Sequence, residues 1–202
     1  MAKIFGESKK AGKPWQIFAT QTVFGKQAPP NFGLIPSLLA GGEAIAAVVF
    51  GLFGATARMF SAAATVGVPW NTDSWDGYQW ERKKICELFD EHTHNAVVLS
   101  GDSHDAWAFS LTSGGDGVTG HEVGVNIGTP GTASPGWLGY MPPLHQMGMD
   151  GNFAPPADDD GSWAPLGAAG YDLMNELWVA SNPSLKYANI KDKGFIAVKV
   201  PP

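Results

Sequence analysis

The stretch AVVLSGDSHD, residues 96–105, decides the fold. Its first half, Ala96–Ser100, is a short continuous apolar run after a helical pattern, which is typical of a strand buried on both faces in an α/β sheet. Gly101 ends the run and lets the backbone turn sharply. Because ligands of open α/β sheets bind where the carboxyl ends of strands meet, we expect the polar residues that follow to lie at a functional site.

The rest of the chain alternates strand and helix patterns around this stretch. The amphipathic pattern of Tyr78–His92 predicts the helix that precedes the strand. This alternation predicts the α/β class, and the 26 glycines and 15 prolines predict long Gly/Pro/Trp-rich loops, above all over Thr129–Gly170. The other predicted elements are strands at Trp15–Gln21, Ala106–Leu111, Glu122–Ile127 and Gly194–Val200, and a short helix at Tyr171–Ser181.

Composition excludes several classes of protein. The 202 residues suit one domain or a large piece of one. Nineteen acidic residues against thirteen basic ones give a net charge of −6, which argues against nucleic acid as a specific partner because such binders present a basic face. The one cysteine, Cys86, excludes an internal disulfide and a cysteine-cluster zinc site.

An Ala-rich segment at residues 36–68 differs from these patterns. Its most apolar part, Ala44–Ala57, is uncharged and is followed by Arg58. A helix that spans a membrane needs about 20 apolar residues, which is more than this part contains, so we expect no transmembrane span. We interpret residues 36–68 as a helical insertion or lid, and contact of this helix with a membrane is the alternative interpretation.

Asp102 and His104 are the candidate metal ligands. Side chains two residues apart project to the same side of an extended segment. A carboxylate beside an imidazole is a suitable pair of metal ligands, of which the oxygen suits a harder ion. An Asp-x-His pattern also occurs by chance, and in that alternative Asp102 caps a turn and His104 makes a hydrogen bond within a loop.

A second polar cluster precedes the predicted helix and contains Asn71, Asp73 and Asp76 beside Trp75. Such residue types are typical of turns. Asp76, with Gln79 three residues later, resembles an N-cap and capping-box pair. The alternative interpretation is that Asn71, Asp73 and Trp75 form one wall of an active-site pocket.

Four motifs occur in the following order along the chain: NTDSWDGY (71–78) with Glu81-Arg82, VVLSGDSHDAW (97–107), GTPGTASPG (128–136), and NPSLKY (182–187) with KGF (193–195). In this order they resemble the C-terminal half of the PhoD-like alkaline phosphatases. The third motif resembles that family's T-P-x-x-T-S-P-G loop, and the fourth its N-P-x-L-K-Y…R-G-Y ending. Together the motifs cover roughly Trp15–Val200, and only their combination is specific.

The resemblance implies a calcineurin-like metallophosphoesterase, a four-layer α-β-β-α sandwich of two sheets flanked by helices. Members of that family are alkaline phosphatases and phosphodiesterases that hydrolyse phosphate monoesters and diesters at an iron and calcium centre. The family's G-D-x-H motif falls on residues 101–104, so the resemblance implies Asp102 as a ligand on the calcium side and His104 on the iron side. Relatives are commonly exported to the periplasm or beyond the cell, whereas this sequence does not indicate its own compartment.

The chain departs from the family because no motif of the N-terminal half precedes Trp15. That half brings a cysteine ligand and several Asp and Asn ligands, and Cys86, inside the predicted helix, is not that cysteine. Two ligands do not complete a binuclear centre, because calcium alone takes six to eight oxygens. We therefore expect residues 1–202 to form the C-terminal half of a PhoD-like metallophosphatase domain, completed by a missing N-terminal half or by self-association.

Two other functions stay open at this point. The chain could be a non-catalytic remnant or partner-binding module that keeps the core of the fold but does not bind metals tightly. It could also be an aromatic-rich glycan- or lipid-binding module whose tryptophans, eight in all, serve as binding platforms. Metal content separates the phosphatase from both alternatives.

Overall fold

The structure is a computed structural model that describes residues 1–38, 41–134, 136 and 168–199. Its mixed sheet with packed helices confirms the α/β class. The described strands are β1 (Gln16–Ala19), β2 (Ala96–Ser100), β3 (Ala106–Thr112), β4 (Glu122–Gly128) and β5 (Leu185–Asn189). The described helices are α1 (Ala2–Lys10), α2 (Ile35–Leu38), α3 (Gly42–Thr65), α4 (Gln79–His92) and α5 (Ala168–Ser181), with 3-10 turns at Phe32–Leu34 and Trp75–Tyr78.

The strand order β1-β2-β4-β3-β5 determines where the loops meet. Strands β1, β2 and β4 are parallel neighbours, and β3 is antiparallel to both β4 and β5. The carboxyl ends of the three parallel strands therefore share one edge with the amino end of β3. Since β4 lies between β2 and β3, the connection at residues 101–105 crosses over the end of β4.

Helices cover one face of this sheet. Val98 and Leu111 belong to a buried cluster that also contains residues of α1 and α4. Trp107 and Phe109 belong to a second cluster that contains residues of α3 and α5. Because residues of both clusters alternate along their strands, they lie on the same face, and this face supplies the core of the described chain.

The opposite face carries apolar side chains that remain partly exposed. Along β2 burial alternates, and Val97 and Leu99 are the less buried residues. The register aligns Val97 with Ile17 and Val125, which are 47% and 43% exposed. The prediction that Ala96–Ser100 is buried on both faces is therefore wrong for the described residues, because their helices pack on one face only.

The strand at the far edge of the sheet differs from its prediction. Gly194–Val200 forms no strand as far as it is described, and β5 takes the edge position beside β3 instead. Leu185 and Ala188 are both buried although they are three residues apart, because the register shifts between Ala108 and Phe109. This irregularity removes the two-residue alternation by which a strand is normally predicted. The other predicted strands and both helices are confirmed, with boundaries shifted by a few residues.

Helix α3 occupies most of the Ala-rich segment at residues 36–68. It is interrupted at Gly54, whose φ of 47° and ψ of −115° are not helical. No helix in the described ranges has both the length and the apolar character that crossing a membrane requires. The role of this segment as an insertion or lid stays a prediction, and most of the predicted loop at Thr129–Gly170 lies outside the described residues.

Cys86 should resist alkylation as long as the chain is folded. Its side chain is fully buried within α4, and this burial raises the pKa of the thiol to about 12, with Arg82 opposing the shift. Because the thiolate is the reactive form, iodoacetamide at mildly alkaline pH should modify the unfolded chain fully and the native chain very slowly, as read by intact mass. Rapid modification of the native chain would contradict the described packing of α4 on the sheet.

Candidate functional site

The Asp-x-His turn, residues 102–104, lies at the edge where the three parallel strands end. The N–H of Gly101 donates to the carbonyl of Gln21, just beyond β1, at 3.2 Å. The N–H of Thr129, just beyond β4, donates to the carbonyl of Ser100 at 2.8 Å. Main-chain hydrogen bonds thus join the ends of β1, β2 and β4 directly beneath the turn.

Asp102 and His104 both have left-handed backbone conformations, with φ of 71° and 63°. For L-residues this conformation costs about 1–2 kcal/mol, although aspartate tolerates it better than most. The prediction that the two side chains extend from a straight segment is therefore wrong, because the chain must curl to pass over the end of β4. Such strain persists where the surrounding structure enforces it, which is common at functional sites.

Several contacts enforce this turn. The carbonyl of His104 accepts from the N–H of Gly131 at 3.2 Å and from Nζ of Lys193 at 3.0 Å. The indole Nε1 of Trp107 donates to Oγ of Ser103 at 2.7 Å. The turn is thus held through its main chain and Ser103, while Asp102 remains exposed.

A cavity of about 410 Å³ lies beside the turn and is lined by residues 102–105. Its other walls include Gln27, Trp70, Asn71 and Ser74, which come from the loops that follow β1 and α3. The two candidate ligands and the predicted pocket residue Asn71 therefore line one cavity. Sequence reasoning did not find Gln27, which lies in a Pro/Gly-rich loop without a recognisable motif.

A second cavity, of about 880 Å³, adjoins Asp102. Asp73 and Trp75 line it together with Tyr78 and Trp80, both of which are exposed. The structure therefore separates the predicted pocket residues into two groups. Asn71 lies with His104, Asp73 and Trp75 lie in the neighbouring cavity, and Asp102 lines both cavities.

Asn71 and Trp75 also make local contacts of the kind that the turn interpretation predicts. Oδ1 of Asn71 accepts from the N–H of Asp73 at 2.8 Å, which forms an Asx turn. Nε1 of Trp75 donates to Oγ1 of Thr20 at 2.9 Å and so fixes the turn against the end of β1. These contacts shape the rim of both cavities.

Asp76 does not cap α4 as predicted but forms a buried ion pair with Arg82. Nη1 of Arg82 donates to Oδ1 of Asp76 at 2.6 Å, and both side chains are at most 2% exposed. Oδ2 of Asp76 accepts from the N–H of Gln27 at 2.8 Å, and Nε of Arg82 donates to the carbonyl of Gly115 at 2.7 Å. Burial raises the pKa of the Asp76 carboxyl, and the Arg82 guanidinium opposes this shift.

Asn126 is a second buried polar residue, and it fixes the loop that follows β1 against β2. Its Oδ1 accepts from the N–H groups of Phe24 and Gly25, at 3.1 and 3.0 Å. Its Nδ2 donates to the carbonyl of Val98 at 3.1 Å and to Oγ of Ser100 at 2.9 Å. The sequence signal for this role is an asparagine inside an otherwise apolar strand. Asn126 is fully buried there, and a buried polar side chain needs hydrogen-bond partners.

Asp102 and His104 fit part of a metal centre. A carboxylate oxygen and an imidazole nitrogen are suitable donors for calcium and iron, and both residues line the same cavity. Among the described residues, no group of three or more His, Cys, Asp or Glu side chains could hold a metal ion.

These features define an α/β protein whose candidate ligand site lies at the carboxyl edge of a mixed sheet. The sequence model of one family, described as PhoD-like phosphatase, matches residues 2–202. The chain therefore belongs to the PhoD-like phosphatase family.

A solved structure of PhoD is similar to this chain at 21% sequence identity, with a TM-score of 0.49. The match covers 96% of this chain, which spans 24% of the length of that PhoD chain. No protein of curated function matches the sequence.

Proposed function

We propose that this chain supplies part of the active site of a metal-dependent phosphatase that hydrolyses phosphate monoesters and diesters. One observation carries the proposal: a strained Asp-x-His turn lines a cavity at the ends of three parallel strands. Membership of the PhoD-like phosphatase family supports a phosphoesterase reaction. Asp102 and His104 are the residues to which we assign the metal-binding role.

Asp102 would provide an oxygen ligand on the calcium side and His104 a nitrogen ligand on the iron side. When bound, these ions supply Lewis acidity toward phosphate oxygens and toward the attacking water. The chain's own contribution is to hold both side chains in place. The anchored turn carries both residues, and the buried pair of Asp76 and Arg82 fixes the part of the cavity wall that Gln27 forms.

We further propose that a second sheet completes a four-layer sandwich on the partly exposed face of the described sheet. The aligned side chains of Ile17, Val97 and Val125 support this proposal, because a row of apolar residues is stabilised by a covering layer. The remainder of a longer chain or another copy of this one would supply that layer. The phosphatase site would then be shared between the two parts.

We propose the Ala-rich segment at residues 36–68 as a helical insertion or lid beside the cavity. Its helix α3 carries Phe60, whose ring meets the ring of Trp70 edge-on with centroids 5.4 Å apart. Trp70 in turn lines the cavity next to the turn. A movement of α3 would therefore be transmitted to the cavity wall.

A partner-binding module without catalysis is the second candidate, and the same partly exposed sheet face favours it. Ile17 and Val125 would be covered by the partner in this case too. The two candidates differ in chemistry, because only the phosphatase requires metal at Asp102 and His104. Trp107 and Trp178 are buried in the core and are not available as platforms for a glycan or lipid, whereas Trp15 and Trp80 are exposed.

Hydrolysis of a chromogenic phosphodiester and a phosphomonoester tests the proposed function. The assay uses this chain and the longest polypeptide that its gene encodes, stripped of metal and resupplied with calcium and iron. We expect turnover that depends on both additions, that is lost in His104→Ala, and that persists in His94→Ala, a matched change at an exposed histidine. A folded, metal-bound polypeptide that hydrolyses neither ester would contradict the proposal, and turnover by the chain alone would show that copies of it complete the site.

A further inference from the structure

Gln27 lines the cavity beside the turn, and its side-chain amide is a buried hydrogen-bond donor. The residue is 5% exposed, and its Nε2 atom has no hydrogen-bond partner among the described residues. Buried donors are almost always paired, because an unpaired one loses its bonds to water without replacement. An unpaired donor on a residue that lines a cavity is therefore a candidate contact for a bound ligand.

The main chain of Gln27 is held on both sides, so a loose loop does not explain the unpaired amide. Its N–H donates to Oδ2 of Asp76 at 2.8 Å, and its carbonyl accepts from the N–H of Trp70 at 2.8 Å. Asp76 is itself fixed by the buried guanidinium of Arg82. This network holds Gln27 rigidly at the cavity while leaving its side-chain donor unused.

The chemistry of the cavity indicates what the donor would bind. Asp102 and His104 line the same space, and they suit cations rather than anions. An amide N–H carries no charge and seeks an acceptor, so it complements an oxygen of an anion that is bound to metal on its other side. A phosphoryl group has oxygens for both kinds of contact.

We propose that Nε2 of Gln27 donates a hydrogen bond to a phosphoryl oxygen of the bound ester and so positions the phosphate against the Asp102–His104 turn. This inference rests on the proposed function and adds a substrate-binding residue to it. The loss of folding stability from an unpaired donor is then offset when the substrate binds.

Gln16 provides a matched control, because it is a second buried glutamine whose side chain is fully used. It is 4% exposed, its Nε2 donates to Oγ of Ser8 and to the carbonyl of Lys13, and its Oε1 accepts from the N–H of His94. Gln16→Met should lower the midpoint of thermal unfolding and leave phosphate affinity unchanged. Gln27→Met should leave that midpoint unchanged or raise it, because it removes an unpaired donor.

The first test follows the side-chain amide resonances of the chain by ¹⁵N–¹H NMR while inorganic phosphate is added to the chain already supplied with calcium, without the paramagnetic iron. The Gln27 signals, assigned by their absence in Gln27→Met, should shift, whereas those of Gln16 should not. The second test measures inhibition of ester hydrolysis by inorganic phosphate. Gln27→Met should weaken this inhibition about 10- to 100-fold, the effect of one hydrogen bond to a charged group.

The outcomes separate this proposal from the proposed function. If the wild type hydrolyses esters and Gln27→Met is inhibited equally well by phosphate, the role of Gln27 is overturned and the phosphatase stands. If the longer polypeptide, folded and metal-bound, hydrolyses no ester, the phosphatase fails and the NMR titration decides the role of Gln27. Whether or not the phosphatase stands, unshifted Gln27 signals at saturating phosphate overturn the role of Gln27.

Discussion

Asp102→Gly should abolish phosphate-ester hydrolysis and leave the folded protein at least as stable as the wild type. The carboxylate is the proposed ligand on the calcium side, and its loss should lower kcat/KM about 1,000-fold, equivalent to about 4 kcal/mol of transition-state stabilisation. The backbone at this position has a φ of 71°. Glycine adopts that conformation without strain, so we expect the free energy of unfolding to stay equal or rise by up to about 1 kcal/mol.

Urea unfolding and hydrolysis are measured on the same preparations, with Asp172→Gly as the control. Asp172 is exposed within α5, away from the turn, and it has no left-handed backbone. There the same substitution should cost about 1 kcal/mol, the usual penalty of glycine in a helix, and should leave hydrolysis unchanged. Near-normal hydrolysis by a folded Asp102→Gly protein would remove this residue from the metal site.

Arg82→Met should be among the most destabilising single substitutions in the chain. It leaves the carboxylate of Asp76 buried and without its guanidinium partner, and it removes the donor to the carbonyl of Gly115. Breaking one half of a buried ion pair costs about 3–5 kcal/mol. The same change at an exposed ion pair of the same helix, Lys84→Met, should cost less than about 1 kcal/mol, because Lys84 and Glu87 are both more than a third exposed.

The deficit of Arg82→Met should depend on pH. Burial already raises the pKa of the Asp76 carboxyl, and removing Arg82 removes the cause that opposes this shift. When the pKa of an acidic group is higher in the folded than in the unfolded chain, the folded chain loses stability as the pH rises toward the folded pKa. The loss in free energy of unfolding that Arg82→Met causes, measured with urea, should therefore shrink as the pH is lowered from neutral into the mildly acidic range. A deficit equal to that of Lys84→Met at every pH would mean that the pair is not buried in solution.

Much of the fold could be predicted because its signals are local. The apolar run of Ala96–Ser100 and the helical periodicity of Tyr78–His92 each lie within one element, so the sequence alone indicated β2 and α4. The same holds for the position of the Asp-x-His turn at the end of a strand. Strand β5 could not be predicted, because the register shift that pairs it with β3 depends on a distant part of the chain.

The candidate site was predictable in its chemistry but not in its geometry. Asp102 and His104 were recognisable as suitable donors, yet nothing in their spacing indicated left-handed backbone. That conformation occurs where the connection passes over the end of β4, a position that depends on the strand order of the whole sheet. Asp76 resembled a helix cap in the sequence because its contacts with Arg82 and with the N–H of Gln27 form only in the folded chain.

The row of Ile17, Val97 and Val125 also determines how the chain responds to temperature. Contact between apolar surfaces is driven by the entropy of water near room temperature, and it weakens on cooling. A layer that covers this face would therefore bind it more strongly at room temperature than on ice. Clouding of a chilled solution of this chain as it warms would then reflect molecules meeting through intact sheets rather than the onset of denaturation.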